Sequence, residues 1–215
     1  MDTLSCRRRV LFAAAAAVAV VAAPVAVPLA YAVDTENVVA PVQQLTNGLL
    51  RVMKAGNATP FSQRIDMLAP IIDKTFDLDV VLRESVGPTW DNLPHNQQKM
   101  LQDAFRRYTV ASYVNNFNSF KGERFQVKPD PRPVGNGEQV VQTEIIPTSG
   151  DRHELDYVMR RVSGDWRAVD VLADGSVSRV AVQRSDFRRM LTRGGPQALA
   201  DSLRSKSADL SEGSS

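Results

Sequence analysis

Two histidines and one cysteine are the whole imidazole and thiol complement of this 215-residue chain, so reactive chemistry has few places to start. His153 stands in "GDRHELDY" beside Asp151, Glu154 and Asp156, a donor set that could hold a divalent ion. The spacing fits no helix-borne zinc motif, and these charges better suit the solvated entrance of a strand. His95 follows Pro94 in what reads as the first turn of a helix, a place for a solvated side chain rather than a base. No G-x-S-x-G elbow is present, and "GNG" at 135–137 is hairpin chemistry rather than a phosphate cradle. "DPRP" at 130–133 reads as a stiff loop, and Asn57-Ala58-Thr59 matches a glycosylation triplet readily met by chance. The expectation is a protein that is not an enzyme and uses no metal and no cofactor.

The most conspicuous polar residue lies elsewhere. In "DGSVSRVAVQRSDFRRML", residues 174–191, Val177, Val180, Ala181, Phe187 and Leu191 recur at helical spacing, and Arg184 falls within the same stripe. A guanidinium buried alone would be costly, so a buried Arg184 must pair with backbone carbonyls or with a carboxylate such as Asp170 on the preceding strand.

Which elements position these residues depends first on what is removed. "CRRRVLFAAAAAVAVVAAPVAVPLAYA" opens on three arginines, runs apolar and closes on Ala30-Tyr31-Ala32, the pattern of a secretory signal peptide cleaved after Ala32. Pro24 and Pro28 interrupt the apolar run and argue against a retained span. Cleavage removes Cys6, and with it any disulfide, thiol nucleophile or thiolate metal site. It also removes three of the 26 basic residues and one of the 24 acidic ones, leaving 23 of each, so a nucleic-acid partner loses its support. The expected organisation is residues 1–32 as leader, 33–208 as one domain, and 209–215 as a flexible polar tail.

The first half of that domain is helical in pattern. "ENVVAPVQQLTNGLLRVMKAG" places Val38, Val42, Leu45, Leu49 and Val52 on one face up to Gly56. A second helix begins with Thr59 as cap and Pro60 in the first turn, and a third is stopped by Gly87-Pro88. A long fourth helix carries Leu101, Phe105, Tyr108 and Ser112 in a stripe, with Tyr113 and Phe117 adding to its aromatic content. After Lys121-Gly122 the period changes to two. "RFQV", "EQVVQTEII", "HELDYVMRRV" and "WRAVDVLA" read as four antiparallel strands, joined through Asn136-Gly137 and Ser163-Gly164-Asp165 turns. Two closing helices follow, the last capped by Gly195-Pro196. The expected fold is α+β, with helices on one side of a curved four-stranded antiparallel sheet.

"GDWRAVDVLADGSVSRVAVQRSDFRRML" resembles the C-terminal signature of the MlaC-type, toluene-tolerance-type periplasmic proteins, in which a "W-x-aromatic-D-V" strand leads through "G-V-S" to a helix bearing "Y-R-S-x-F". The matching residues are Trp166, Asp170, Val171, Gly175, Val177, Ser178, Arg184, Ser185 and Phe187. The branch most similar is the one associated with hopanoid biosynthesis (HpnM-type). The chain departs from the pattern at Ala168 or Val169 in place of the aromatic, at Gln183 in place of the tyrosine, and by the inserted Ser176. The resemblance implies a monomeric soluble carrier that binds phospholipid, or a hopanoid, in an apolar pocket between sheet and helices. It further implies passage of lipid between an inner-membrane ABC transporter complex and an outer-membrane lipoprotein and porin complex.

Strand parity and helix stripes assign Leu101, Phe105, Tyr108, Val141, Ile145, Tyr157, Val169, Val171, Val180 and Phe187 to the pocket wall, and structural roles to Trp166, Asp170 and Arg184. In a lipid carrier, Arg184 has a rival role as a phosphate contact at the pocket mouth. The alternative function is a steroid-isomerase-like enzyme using Asp170 or Tyr157 as acid or base in the pocket. A ligand-free adaptor is a third reading, separated from a carrier by purifying without bound lipid.

Overall fold

The computed structural model describes residues 35–213, and the expected leader lies outside them. α1 (Thr35–Ala55) buries Val38, Val42, Leu45, Leu49 and Val52 completely, as the spacing requires, and ends at Gly56 with φ 57°. α2 (Phe61–Thr75) turns back along it, burying Leu68 and Ile72. Gly48 permits this approach: a methyl group there would stand 2.6 Å from Ile71 Cδ1. Thr59 does not cap α2. Pro60 occupies the cap position, and the Thr59 hydroxyl instead donates to the Ala55 carbonyl at 3.2 Å, at the end of α1. Arg64, fully buried in the first turn of α2, donates from Nε to the Thr59 carbonyl at 3.1 Å and lies 5.5 Å from the centre of the Phe61 ring.

α3 (Leu78–Val86) is capped by Asp77, whose carboxylate accepts from Val80 N at 3.0 Å, and stops at Gly87 with φ 75°. A 3-10 turn over Gly87–Asn92 leads into α4 (His95–Asn116).

The sheet has seven strands among the described residues, not four. They are β1 (Arg124–Val127), β2 (Arg132–Gly135), β3 (Glu138–Val141), β4 (Thr143–Ile146), β5 (His153–Val162), β6 (Asp165–Ala173) and β7 (Val177–Ser178). The excess has three causes. The first expected strand, "RFQV", is β1 unchanged, but Arg132–Gly135, expected within a stiff proline-broken loop, pairs with β3 as β2. Past Pro129 and Pro131 the chain can rejoin the edge of the sheet. The second expected strand is split where Gln142 interrupts the ladder between β3 and β4. Lys128 N, just past β1, donates to the Gln142 carbonyl at 2.9 Å, so the segment between β1 and β2 stays beside the break between β3 and β4. β7 takes Val177, expected in a helical stripe, and leaves it 49% exposed. All named strand pairs are antiparallel, with β5 bordered by β3 and β4 on one side and β6 on the other.

The β5–β6 ladder contains one bulge. Met159 faces Ala168 and Val158 faces Asp170, so Val169 is the extra residue and the parity of β6 reverses there. α5 (Arg179–Glu212) closes the chain, broken by a non-helical Gly195 at φ 67°, ψ −167° where two helices were expected to meet. Because α5 continues to Glu212, residues 209–212 are helical rather than part of a polar tail.

Burial divides into two clusters. One joins α1, α2 and the C-terminal half of α4 to Val141, Tyr157, Met159, Trp166 and Ala168 of the sheet. The other joins α3, the N-terminal half of α4 and α5 through Leu82, Leu101, Phe105, Phe187 and Leu203.

Candidate functional site

Two hollows stand out. The larger, about 490 Å³, is lined mainly by charged groups of α2, α3, α4 and the loops near them, including Asp73, Asp79, Asp103 and Arg106. Those groups largely satisfy one another: Arg106 forks onto Asp73 at 2.8 and 2.5 Å, and Gln102 donates to Asp79 at 2.9 Å. The other is a cavity of about 340 Å³ between the helices and the sheet, with aromatic walls and a polar edge. Size, apolar lining and a few convergent polar groups make it the candidate ligand site.

α4 presents one face to this cavity. Phe105, Tyr108, Thr109, Ser112, Tyr113 and Asn116 line it at i, i+3, i+4, i+7, i+8 and i+11, one helical face, grading from the buried Phe105 to the exposed Asn116. Phe76, Leu78 and Val81 contribute from the α2–α3 junction, Ile145, Leu155, Val171 and Ala173 from the sheet, and Arg179, Val180 and Gln183 from the first turns of α5. An aromatic chain braces the wall: Phe125, Phe117, Tyr113, Phe76 and Tyr157 follow one another at centroid separations of 5.9, 6.1, 5.7 and 6.2 Å. Burial pushes both the Tyr113 and Tyr157 phenols above their ordinary ionisation range, so both stay neutral at physiological pH. The Tyr157 hydroxyl has no partner at hydrogen-bonding geometry, although Tyr113 stands close enough to raise it further.

Of the ten residues assigned to a pocket wall from sequence, Phe105, Tyr108, Ile145, Val171 and Val180 line this cavity. Leu101 and Phe187 instead fill the second cluster, where Phe187 meets Phe105 edge-on at 6.1 Å, and Val141 and Tyr157 fill the first. Val169 is displaced by the bulge and borders a separate hollow with Val140, Val158 and Leu172. The reading missed Tyr113, Ser112, Phe117 and Arg179. The first three continue the α4 stripe and were legible by its period; Arg179, one residue past a serine cap, carried no apolar signal.

Asp170 is the N-terminal clamp of α5. Its carboxylate accepts from the Ser178 hydroxyl, from Val180 N at 3.0 Å and from Val171 N at 2.7 Å, while Ser178 Oγ accepts from Ala181 N at 2.9 Å. A carboxylate so engaged has little freedom to act as a base. Trp166 is buried in the first cluster with the Arg161 guanidinium 5.1 Å from its ring centre. His95 and His153 are both exposed, and no group of three metal-binding side chains occurs among the described residues.

Arg184 is exposed, not buried, and does not reach Asp170. Its Nε donates to the Glu84 carbonyl at 2.7 Å, one of the C-terminal carbonyls of α3 that the helix itself leaves unpaired. The tie is therefore between α5 and α3 rather than to the sheet. Arg184 does not line the cavity; it borders a different hollow with Arg188 and the Gly87–Thr89 turn. Arg184→Met is expected to cost about 1 kcal/mol, seen as a melting temperature lower by roughly 2–4 °C, with ligand loading unchanged. Loss of loading at unchanged melting temperature would overturn the structural assignment.

Helices layered on an antiparallel sheet border a cavity with apolar walls and one polar edge, a lining suited to an amphiphilic ligand. The family model described as MlaC protein matches residues 43–205, and the chain belongs to that family. No curated protein matches it. Among solved structures it is similar to the phospholipid-binding protein from Ralstonia solanacearum in complex with a phospholipid, with a TM-score of 0.70 at 18% identity over 81% of this chain and 98% of that one. At that identity the likeness establishes the shared fold.

Proposed function

We propose that this protein is a periplasmic phospholipid carrier, exported by cleavage after Ala32, that holds acyl chain in the α4–α5–sheet cavity and performs no catalysis. The observation that carries this is the cavity itself, apolar inside and polar along one edge, in a chain of the MlaC family. A neighbour of the same fold complexed with phospholipid supports the cargo class. No described helix is long and apolar enough to cross a membrane, which suits a domain that travels.

The energetics suit a protein without reactive groups. Moving two acyl chains out of water is worth on the order of 20 kcal/mol at about 0.8 kcal/mol per methylene. A pocket about as apolar as a bilayer therefore makes transfer nearly neutral, and direction must come from partners. The partners proposed are an inner-membrane ABC transporter complex and an outer-membrane lipoprotein and porin complex. The cavity holds only about a dozen water-sized volumes of roughly 30 Å³ each, so a two-chain lipid requires its walls to part.

The test is native mass spectrometry of residues 33–215 purified from a Gram-negative periplasm, with organic extraction of whatever accompanies the protein. The expected result is a near-stoichiometric adduct identified as phospholipid; a hopanoid adduct would support the hopanoid-associated branch instead. A ligand-free mass, unchanged after incubation with phospholipid vesicles, would remove the carrier reading.

A further inference from the structure

Among the described residues, a single cation lines the cavity, and it makes no ion pair with any of them. Arg179 is the first residue of α5, exposed to solvent and yet part of the cavity lining. No carboxylate lies within ion-pair distance of it among the described residues. Of the other arginines of α5, Arg184 is engaged on the Glu84 carbonyl, Arg189 on Asp186 at 2.6 Å and Arg204 on Asp201 at 2.9 Å, while Arg188 and Arg193 lie outside the cavity lining. Asp170, the one carboxylate lining the cavity, accepts three hydrogen bonds from its own strand and the α5 cap, so its oxygens are committed within the protein. The amides of Val180 and Ala181 at the start of α5 are likewise taken, by Asp170 and Ser178. Any negative charge brought to this edge must therefore be met by the Arg179 side chain.

Resting on the phospholipid reading, we infer that Arg179 is the headgroup-selecting residue of the cavity, holding the phosphate of a lipid with net negative charge while its chain lies against Phe76 and Phe105. The geometry of the lining supports this polarity. Phe105 is buried, whereas Asn116, about three turns along the same face of α4, is exposed, so the cavity runs from an apolar interior to a wet edge. Thr109 and Ser112 lie between them and add hydroxyls suited to glycerol oxygens. The charge of Arg179 is felt inside: it opposes, in part, the upward push of burial on the Tyr113 phenol. A guanidinium matches phosphate oxygens with paired N–H groups, and at a partly dried edge its field is screened less than in bulk water. A zwitterionic headgroup brings its own ammonium beside the phosphate and offsets that attraction.

The test uses residues 33–215 and vesicles containing equal amounts of phosphatidylglycerol and phosphatidylcholine with matched chains, with the protein re-isolated and its bound lipid extracted and quantified. The wild-type protein is expected to carry phosphatidylglycerol over phosphatidylcholine by about five-fold, the scale of one partly exposed charge pair. Arg179→Gln brings the ratio close to one with total loading largely kept, and Arg179→Lys retains most of the preference. Arg193→Gln, at an exposed arginine of the same helix outside the cavity, leaves the ratio unchanged. An unaltered preference in Arg179→Gln, or an equal loss in Arg193→Gln, overturns the assignment, the latter by tracing the preference to attraction at the vesicle surface. Inorganic phosphate alone is expected to give no adduct in native mass spectra; an adduct abolished by Arg179→Gln would make the site one for free anions and overturn the lipid assignment. A wild-type protein that loads neither lipid rejects the carrier reading itself, a result distinct from loading without preference.

Discussion

Ser112→Trp is expected to leave the protein folded and to remove its capacity to load lipid. Ser112 is half-buried on the cavity-facing stripe of α4, between Phe105 and Asn116, and its small side chain borders open volume. Inserting a large group into a filled core typically costs about 1–3 kcal/mol through displaced rotamers and backbone shifts. Here the indole has a cavity of about 340 Å³ to enter, and it gains apolar contacts with the walls in place of a ligand. The melting temperature should therefore stay within a few degrees of the wild-type value. Lipid occupancy should fall by at least about ten-fold, equivalent to roughly 1.4 kcal/mol of lost binding. The measurement is native mass spectrometry after vesicle incubation, paired with a thermal melt. Undiminished occupancy in a folded variant would mean that the ligand sits elsewhere, and the cavity between α4, α5 and the sheet would cease to be the candidate site.

Why Ser112 emerges only with coordinates, although its stripe is visible in the sequence, shows where pattern reading stops. A helical period identifies the face that turns away from water; it does not say whether that face meets packed side chains or a void. Leu101 and Phe105 lie on the same stripe of α4, yet Leu101 fills the second cluster and Phe105 borders the cavity as well. The helices were legible because runs such as Val38, Val42, Leu45, Leu49 and Val52 leave one consistent face, and the turns because Asn136-Gly137 and Ser163-Gly164 adopt positive φ in the structure. The strand count was less legible. Alternation persists across a bulge or an irregular step, so β3 and β4 read as one strand until the ladder is seen to break at Gln142. At Val169 a single extra residue exchanges the faces of β6, which moved Val169 out of the site while Val171, assigned from sequence, and Ala173, which was not, line it. Arg184 failed for another reason: it lies at the margin of its helical stripe, where a long side chain can reach a neighbouring helix end while its charge stays wet.

Asp170→Ala is expected to be the most destabilising single change at the site, because the residue serves both a strand and a helix. Three donors converge on its carboxylate, and two of them, the Ser178 hydroxyl and Val180 N, belong to the cap and first turn of α5. Val180 is 5% exposed, so removing the acceptor leaves an amide with poor access to water. Losing an N-cap interaction costs about 0.5–2 kcal/mol and losing hydrogen bonds to a charged acceptor about 1.5–3 kcal/mol, contributions that overlap here, so about 2–4 kcal/mol is expected. For a domain of this size that lowers the melting temperature by roughly 5–15 °C. Because the same turn carries Arg179 and Val180 into the cavity wall, lipid occupancy should fall with it. Asp170→Asn distinguishes this account from acid–base chemistry. With its amide oxygen in the Oδ1 position, asparagine still accepts from Val180 N and Val171 N while its NH2 group donates to Ser178 Oγ. The charge lost from a helix N-terminus is worth only about 0.3–1 kcal/mol, so the asparagine variant should recover most of the stability and the loading. Were Asp170 a general base in a steroid-isomerase-like site, asparagine would be as inactive as alanine in turnover while melting near the wild-type temperature. Thermal melts and lipid occupancy measured on both variants test the clamp: the two properties fall together in the alanine variant and recover together in the asparagine variant, and an asparagine variant as unstable as alanine would overturn it.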